Sequence, residues 1–304
     1  MTAKNILLIR PAHFGFNTET AASNSFQHRS EGNEDALAQK ALAEFNNFAH
    51  SLQQHGLNTF IFDDTAIPLK PDAVFPNNWV SFHSDGTVVL YPMQATNRRA
   101  ERRQDIIDTL AEKFSISNIT DLSHYEQQGK FLEGTGSIVF DHDNHIAYAS
   151  LSPRTSEELF RGLCDTLAYR PVIFRSFDTQ GQAIYHTNVM MCIAPCFALV
   201  CSSSITDARE REAVLDSLRS TGHEIIEITP AQMNSFAGNM LAVQSNAGQE
   251  FLVLSQTAFK ALDEVQLEQI KPYAQLLPIA INTIEQFGGG SARCMMAEIF
   301  LPCK

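Results

Sequence analysis

Similar segments recur along this chain of 304 residues at nearly constant spacing. Each opens with a short apolar run, Phe75-Pro76-Asn77-Asn78-Trp79-Val80-Ser81-Phe82 in one and Phe131-Leu132-Glu133-Gly134-Thr135-Gly136-Ser137-Ile138-Val139-Phe140 in the next. A turn follows, then a second run (Val88-Val89-Leu90-Tyr91; Ile146-Ala147-Tyr148-Ala149), an amphipathic helix and, after the second helix, a closing strand Val172-Ile173-Phe174. Further copies start at Tyr185-His186-Thr187-Asn188 and at Phe236-Ala237-Gly238-Asn239, and a last opening run surrounds Cys294. With Asn78, Glu133, His186, Asn239 and Cys294 as the heads, the intervals are 55, 53, 53 and 55 residues. A period of that length marks repeated supersecondary units. The runs are short, rich in Val and Ile and bounded by Asn, Gly and Asp, so they read as strands.

The tail supplies an opening run without a partner, while residues 5–11 supply a return strand followed by a helix with Leu37, Ala41, Phe45, Phe48 and Leu52 on one face. The expectation is that the ends pair and close five ββαβ modules into a ring, a single α/β domain over 1–304. Closure would remove the need for capping repeats and bring all five heads to one central cavity.

Gly288-Gly289-Gly290-Ser291-Ala292-Arg293 delivers Cys294 from a glycine-rich turn into an apolar run, the setting of a thiol that faces a cavity. A free cysteine is most often a small buried residue. Here a histidine, His186, and a carboxylate, Glu133, stand at matching places in other copies, so the set reads as nucleophile, acid/base and carboxylate. Gly134-Thr135-Gly136 lacks the third glycine and the helix of a dinucleotide fingerprint.

Twenty-two basic against 34 acidic residues leave a formal net charge of −12 and no basic stripe, which excludes nucleic acid as a partner. No apolar run approaches the roughly 20 residues of a membrane span, and the start is broken by charge and proline too early for a signal peptide. A cytoplasmic enzyme is expected, and a homo-oligomer is compatible with the sequence. The six cysteines lack metal or disulfide spacing, so neither a metal nor a cofactor is expected.

Phe75-Pro76-Asn77-Asn78, Leu132-Glu133-Gly134, His186-Thr187-Asn188 and Gly289-Gly290-Ser291-Ala292-Arg293-Cys294-Met295 together resemble the pentein, or guanidine-modifying, superfamily over essentially the whole chain. The Phe-Pro-Asn-Asn-Trp form is most similar to the citrulline utilization hydrolase (citrulline ureidase) branch. The resemblance implies a five-bladed α/β propeller, a catalytic Cys294, a general acid/base His186 and a substrate-holding Glu133. It also implies Arg154 as the ligand of an amino-acid carboxylate, whose planar fork suits that group. In arginine deiminases the positions matching Asn78 and Asn188 are aspartates. Amides suit an uncharged ureido group and give a guanidinium no counter-charge.

The expected substrate is therefore citrulline, hydrolysed to ornithine, ammonia and carbon dioxide, unless Asp63, Asp64 or Asp72 replaces the missing charges. Cys294 is expected to attack as thiolate beside a protonated His186, with Arg293 assisting. The Arg98, Arg99, Arg102, Arg103 cluster reads as a solvated face, Cys192, Cys196 and Cys201 as core, and segment 13–33 as a lid. Rival expectations are an arginine or methylarginine hydrolase, an amidinotransferase, and a pentein used only for binding.

Overall fold

The computed structural model describes residues 1–21, 24, 26–29 and 32–304. Its strands fall into five sets of three, each an antiparallel pair, a hairpin in four of them, one strand of which takes a third strand in parallel. Strands β1 (Asn5–Arg10) and β2 (Asn58–Asp63) pair in parallel. The next set is β3 (Val80–Phe82), β4 (Thr87–Leu90) and β5 (Asn118–Asp121). It is followed by β6 (Val139–Asp141), β7 (Ile146–Ser150) and β8 (Arg170–Phe174). Then come β9 (Met191–Ile193), β10 (Phe197–Val200) and β11 (Glu224–Glu227), and β12 (Leu241–Gln244), β13 (Glu250–Ser255) and β14 (Gln275–Ile279). The last strand, β15 (Ala297–Ile299), pairs antiparallel with β1, Asn5 opposite Ile299 and Leu7 opposite Ala297, which completes the first set from the far end of the chain.

Two sets are further joined where β15 meets β3 at Ile299 and Phe82, giving one six-stranded sheet and three of three strands. Elsewhere the sets meet through their opening strands: β6 packs beside β9 and β9 beside β12, while Ala3 bridges to Val243. The parallel third strands require crossovers. Helices fill them, as over Glu34–Gln54, Glu157–Leu167 and Ala208–Ser220.

The helix at Glu34–Gln54 shows why these segments fold as they do. Asn33 accepts from the backbone N–H groups of Asp35 and Ala36, Glu34 and Asp35 place negative charge in the first turn, and Leu37, Ala41, Phe45, Phe48 and Leu52 are buried. Apolar side chains gather in separate clusters between neighbouring sheets and helices, such as Ile6, Leu8, Phe45 and Phe48 with Val243 and Val253.

The opening runs differ from the continuous strands that the sequence suggests. Three are a tight helical turn followed by a short strand, Pro76–Asn78, Gly134–Ser137 and Thr187–Met190 ahead of β3, β6 and β9, and the other two are non-helical turns ahead of β12 and β15. The five heads accordingly do not occupy one equivalent position. Glu133 and His186 stand at the N-cap of their turns, whereas Asn78 is the last residue of its turn.

Candidate active site

The turns between Phe75 and Asn78, at His186, and at Gly288–Cys294 wall a tight cavity with room for about 20 Å³ of solvent, enough for one ordered water. Cys294 and His186 both line it, with Asn78, Asp72, Arg98, Arg154 and Tyr185. Glycine is required where these turns cross. A Cβ on Gly136 would stand 2.4 Å from Asn78 Nδ2 and 2.8 Å from His186 Nδ1, and one on Gly134, whose φ is +49°, would stand 2.2 Å from the Asn77 carbonyl oxygen. That close approach explains the isolated Gly-Thr-Gly without any nucleotide.

The thiol sits in a carboxamide cradle. Asn239 Nδ2 donates to Cys294 Sγ at 3.3 Å and Asn188 Nδ2 at 3.6 Å, donors that a thiolate holds more strongly than a thiol. Asn239 is fixed in turn, donating to the Asn188 carbonyl and accepting from the Arg293 backbone N–H. Asn78 Nδ2 and Asn188 Oδ1 are buried with no protein partner, which leaves one donor and one acceptor to be met otherwise.

His186 is oriented from behind. Its Nε2 donates to Glu133 Oε2 at 2.8 Å, because an ionised carboxylate only accepts, and Nδ1 is left to carry the lone pair of the neutral ring beside Gly136. Burial pushes the imidazole down to about 4 against the opposing pull of the Glu133 hydrogen bond. Burial acts to raise Glu133, but Arg154 and the His186 hydrogen bond outweigh it and hold the carboxyl well below its usual range. Glu133 therefore does not reach forward as a substrate ligand. Its oxygens are occupied by His186, by the Gln94 backbone N–H at 3.0 Å and by Arg154 at 3.5 Å. Burial thus works against the protonated His186 that the sequence reading expects.

A second charged group faces the first. Arg98 donates to both oxygens of Glu101, at 2.9 and 2.8 Å, and to Asn78 Oδ1 at 2.9 Å, and lies 3.7 Å from Asp72. It is only 3% exposed, so the solvated-face reading of this arginine is overturned: the segment Thr96–Glu101 is a 3-10 turn that tucks its basic residue inward. Arg99 and Arg102 pair with the largely buried Glu126, and Arg103 pairs with the exposed Asp105. Burial raises Asp72 despite Arg98, and raises Glu101 to about 7. Of the carboxylates proposed as replacements, Asp72 reaches the cavity with its Oδ1 unpartnered, Asp63 pairs with Arg10 at the surface, and Asp64 pairs with Lys70.

Arg154 also reaches the cavity, its guanidinium stacked over Tyr185 at 5.0 Å and donating to the Thr20 carbonyl. Arg293 does not. Its guanidinium turns the other way, to the Met296 carbonyl and Glu298 at 2.9 Å each, so an ion pair rather than a substrate holds it. Within the expected lid, Thr20 and Asn24 line the cavity, Asn17 donates to Asp72, and Asn24 donates to the Gly289 carbonyl. Residues 22, 23, 25, 30 and 31 of that segment lie outside the described residues. Cys192 and Cys201 are buried as expected, while Cys196 is exposed.

Sequence reading missed Arg98 and Tyr185 as cavity residues and left Asn239 without a role. Asn239 was within reach, since it heads a module. Arg98 carried no signal, because four arginines in six residues mimic a charged surface.

No helix among the described residues is long and apolar enough to cross a membrane. No curated protein matches the chain. Among solved structures, the N-terminal domain of ArgZ, described as an arginine dihydrolase from the ornithine-ammonia cycle in cyanobacteria, superposes with a TM-score of 0.75 at 18% identity, covering 98% of each chain. The chain covers 98% of itself but only 41% of the longer ArgZ chain, at 16% identity and a TM-score of 0.76. A dimethylarginine dimethylaminohydrolase adduct with S-methyl-L-thiocitrulline matches at 0.67 and 15%, covering 98% of this chain and 100% of that one. Identities this low speak of fold, and the fold is the mixed α/β arrangement of pentein-type proteins. Within that class the family model "N,N dimethylarginine dimethylhydrolase, eukaryotic" matches residues 10–301, and the chain belongs to that family.

Proposed function

We propose that this protein is a cysteine hydrolase of a ureido C–N bond, with citrulline as substrate and Cys294 as nucleophile, built as one five-bladed propeller over 1–304 and working in the cytoplasm. The observation that carries the reading is a buried cavity shared by a thiol and a carboxylate-oriented imidazole, where Asn78 on the wall keeps a donor unmatched and Asn188, which donates to Cys294 Sγ from behind, keeps an acceptor unmatched. A ureido group offers a C=O for the former and N–H for the latter, and needs no counter-charge.

Cys294 Sγ attacks the ureido carbon, and His186 Nδ1 collects the thiol proton and returns it to the departing nitrogen. Water then cleaves the S-carbonyl adduct with the neutral His186 as base. The sum is citrulline and water giving ornithine, ammonia and carbon dioxide. Arg154 and Arg98, both buried at the cavity wall, are suited to an α-carboxylate. Arg293 has no part in this scheme, and Glu133 acts through His186.

One observation favours a second reading, a guanidino substrate such as arginine or a methylated arginine: Asp72 supplies a buried carboxylate with a spare oxygen, as a cation requires. Incubation with citrulline, arginine or methylated arginine and no added amine acceptor separates the readings. Equal amounts of ornithine, ammonia and carbon dioxide from citrulline are expected. Consumption of arginine alone would move the assignment to the guanidino reading, and a requirement for an acceptor would move it to amidino transfer.

A further inference from the structure

A second cavity lies behind the nucleophile. It follows β6, β9 and β12 away from the module heads, with room for about 40 Å³ of solvent, roughly three waters. Its outer end is formed by Met1, Asp143 and Pro195, which are exposed. Its inner end is formed by Asn188, Met191, Met240 and Arg293. Asn188 is thus shared: its Nδ2 donates to Cys294 Sγ, while the cavity it lines is this rear one, and its buried Oδ1 has no protein partner. The Arg293–Glu298 pair keeps charge on the same wall, so the inner end is polar enough to hold water.

From this juxtaposition we propose that the rear cavity supplies the hydrolytic water, passing it over Asn188 to the adduct while the departing amine still fills the front cavity. The inference rests on the covalent mechanism proposed above. The front has room for one water and is covered by Thr20 and Asn24, so a bound amino acid excludes solvent there. In the step so served, water oxygen adds to the carbonyl carbon of the S-carbamoyl adduct and its proton passes to His186 Nδ1. The C–S bond breaks, returning the thiolate and releasing carbamic acid, which falls to ammonia and carbon dioxide.

Two variants narrow the rear cavity without touching a residue of the catalytic group. Ala242→Phe narrows it from β12, and Ala194→Trp narrows it from a buried alanine whose chain neighbours Pro195 and Cys196 are exposed. Thiol alkylation should be unchanged in both, kcat should fall about tenfold or more, and intact-mass spectra at steady state should show Cys294 carrying the adduct. Unchanged kcat with no adduct in the folded Ala194→Trp protein overturns the proposal, whatever becomes of Ala242→Phe. Failure of the unaltered enzyme to consume any ureido or guanidino compound would sink the covalent mechanism itself, a different result.

Discussion

The Glu133 wall and the Asp72 wall of the cavity bury acidic side chains to opposite ends. On the first, Arg154 and His186 hold the carboxyl ionised, and it spends its oxygens on the imidazole and a backbone N–H. On the second, burial wins over Arg98, both Asp72 and Glu101 are raised, and Asp72 keeps an oxygen spare. A carboxylate whose bonds are complete orients a neighbour, whereas one with an unmet acceptor is available to a ligand. On the proposed function, the first wall would set the reaction type and the second the charge of the substrate.

The contrast breaks most sharply at the first wall. Exchanging His186 for Asn should lower kcat by about 10³-fold with citrulline, and Glu133→Gln by about 10²-fold, since an amide fixes the ring less well. An unchanged KM in Glu133→Gln would show that Glu133 acts through the imidazole and does not contact substrate. If Glu133→Gln instead raised KM alone, Glu133 would be a substrate ligand after all. At the second wall Asp72→Asn should change citrulline turnover by less than about tenfold, but abolish any arginine turnover by about 10²-fold or more, the cost of leaving a desolvated cation unpaired.

Acid titration sharpens the comparison. A base with a pKa near 4 stays neutral above that pH, so the acid limb of kcat/KM should fall near pH 4 rather than 6.5, and Glu133→Gln should move it lower still by removing the charge that favours imidazolium. Stability has the opposite sign at the two walls. Between pH 6.5 and about 4 the unfolded chain binds the proton that folded His186 refuses, so stability falls as pH falls. Between pH 4.5 and about 7 folded Glu101 binds the extra proton, so stability falls as pH rises. Urea melts of Glu101→Gln should therefore rise more steeply with pH than those of the parent. Smallest of all, Arg293→Gln should leave kcat/KM within about threefold, because its guanidinium faces Glu298 and the rear cavity and not the front one that takes the substrate.

How much of this was legible follows the same division. Glu133, His186 and Cys294 head repeated segments, and repetition is visible in one dimension. The pairing of β1 with β15 was readable for the same reason, since each end lacked what the other supplied. Asp72 was visible only as one of three possible replacements, and Arg98 not at all, because both lie in connections outside the repeating units. Helical turns ahead of the strands escaped notice because four residues such as Thr187–Met190 are too few to display a helical period. The facing of Arg293 could not be told from its place beside Cys294, since the partner that turns it away, Glu298, sits on the following strand.

The strand that closes the first sheet has a consequence for biosynthesis. Because β15 lies between β1 and β3, two segments that leave the ribosome early must wait beside each other, with an edge exposed, until residues 297–299 follow. Such distant pairing makes assembly slow and leaves the nascent chain dependent on protection from other chains. Cys294, just ahead of that strand, thus meets Asn188 and Asn239 only when the seam between the far ends of the sheet is sewn.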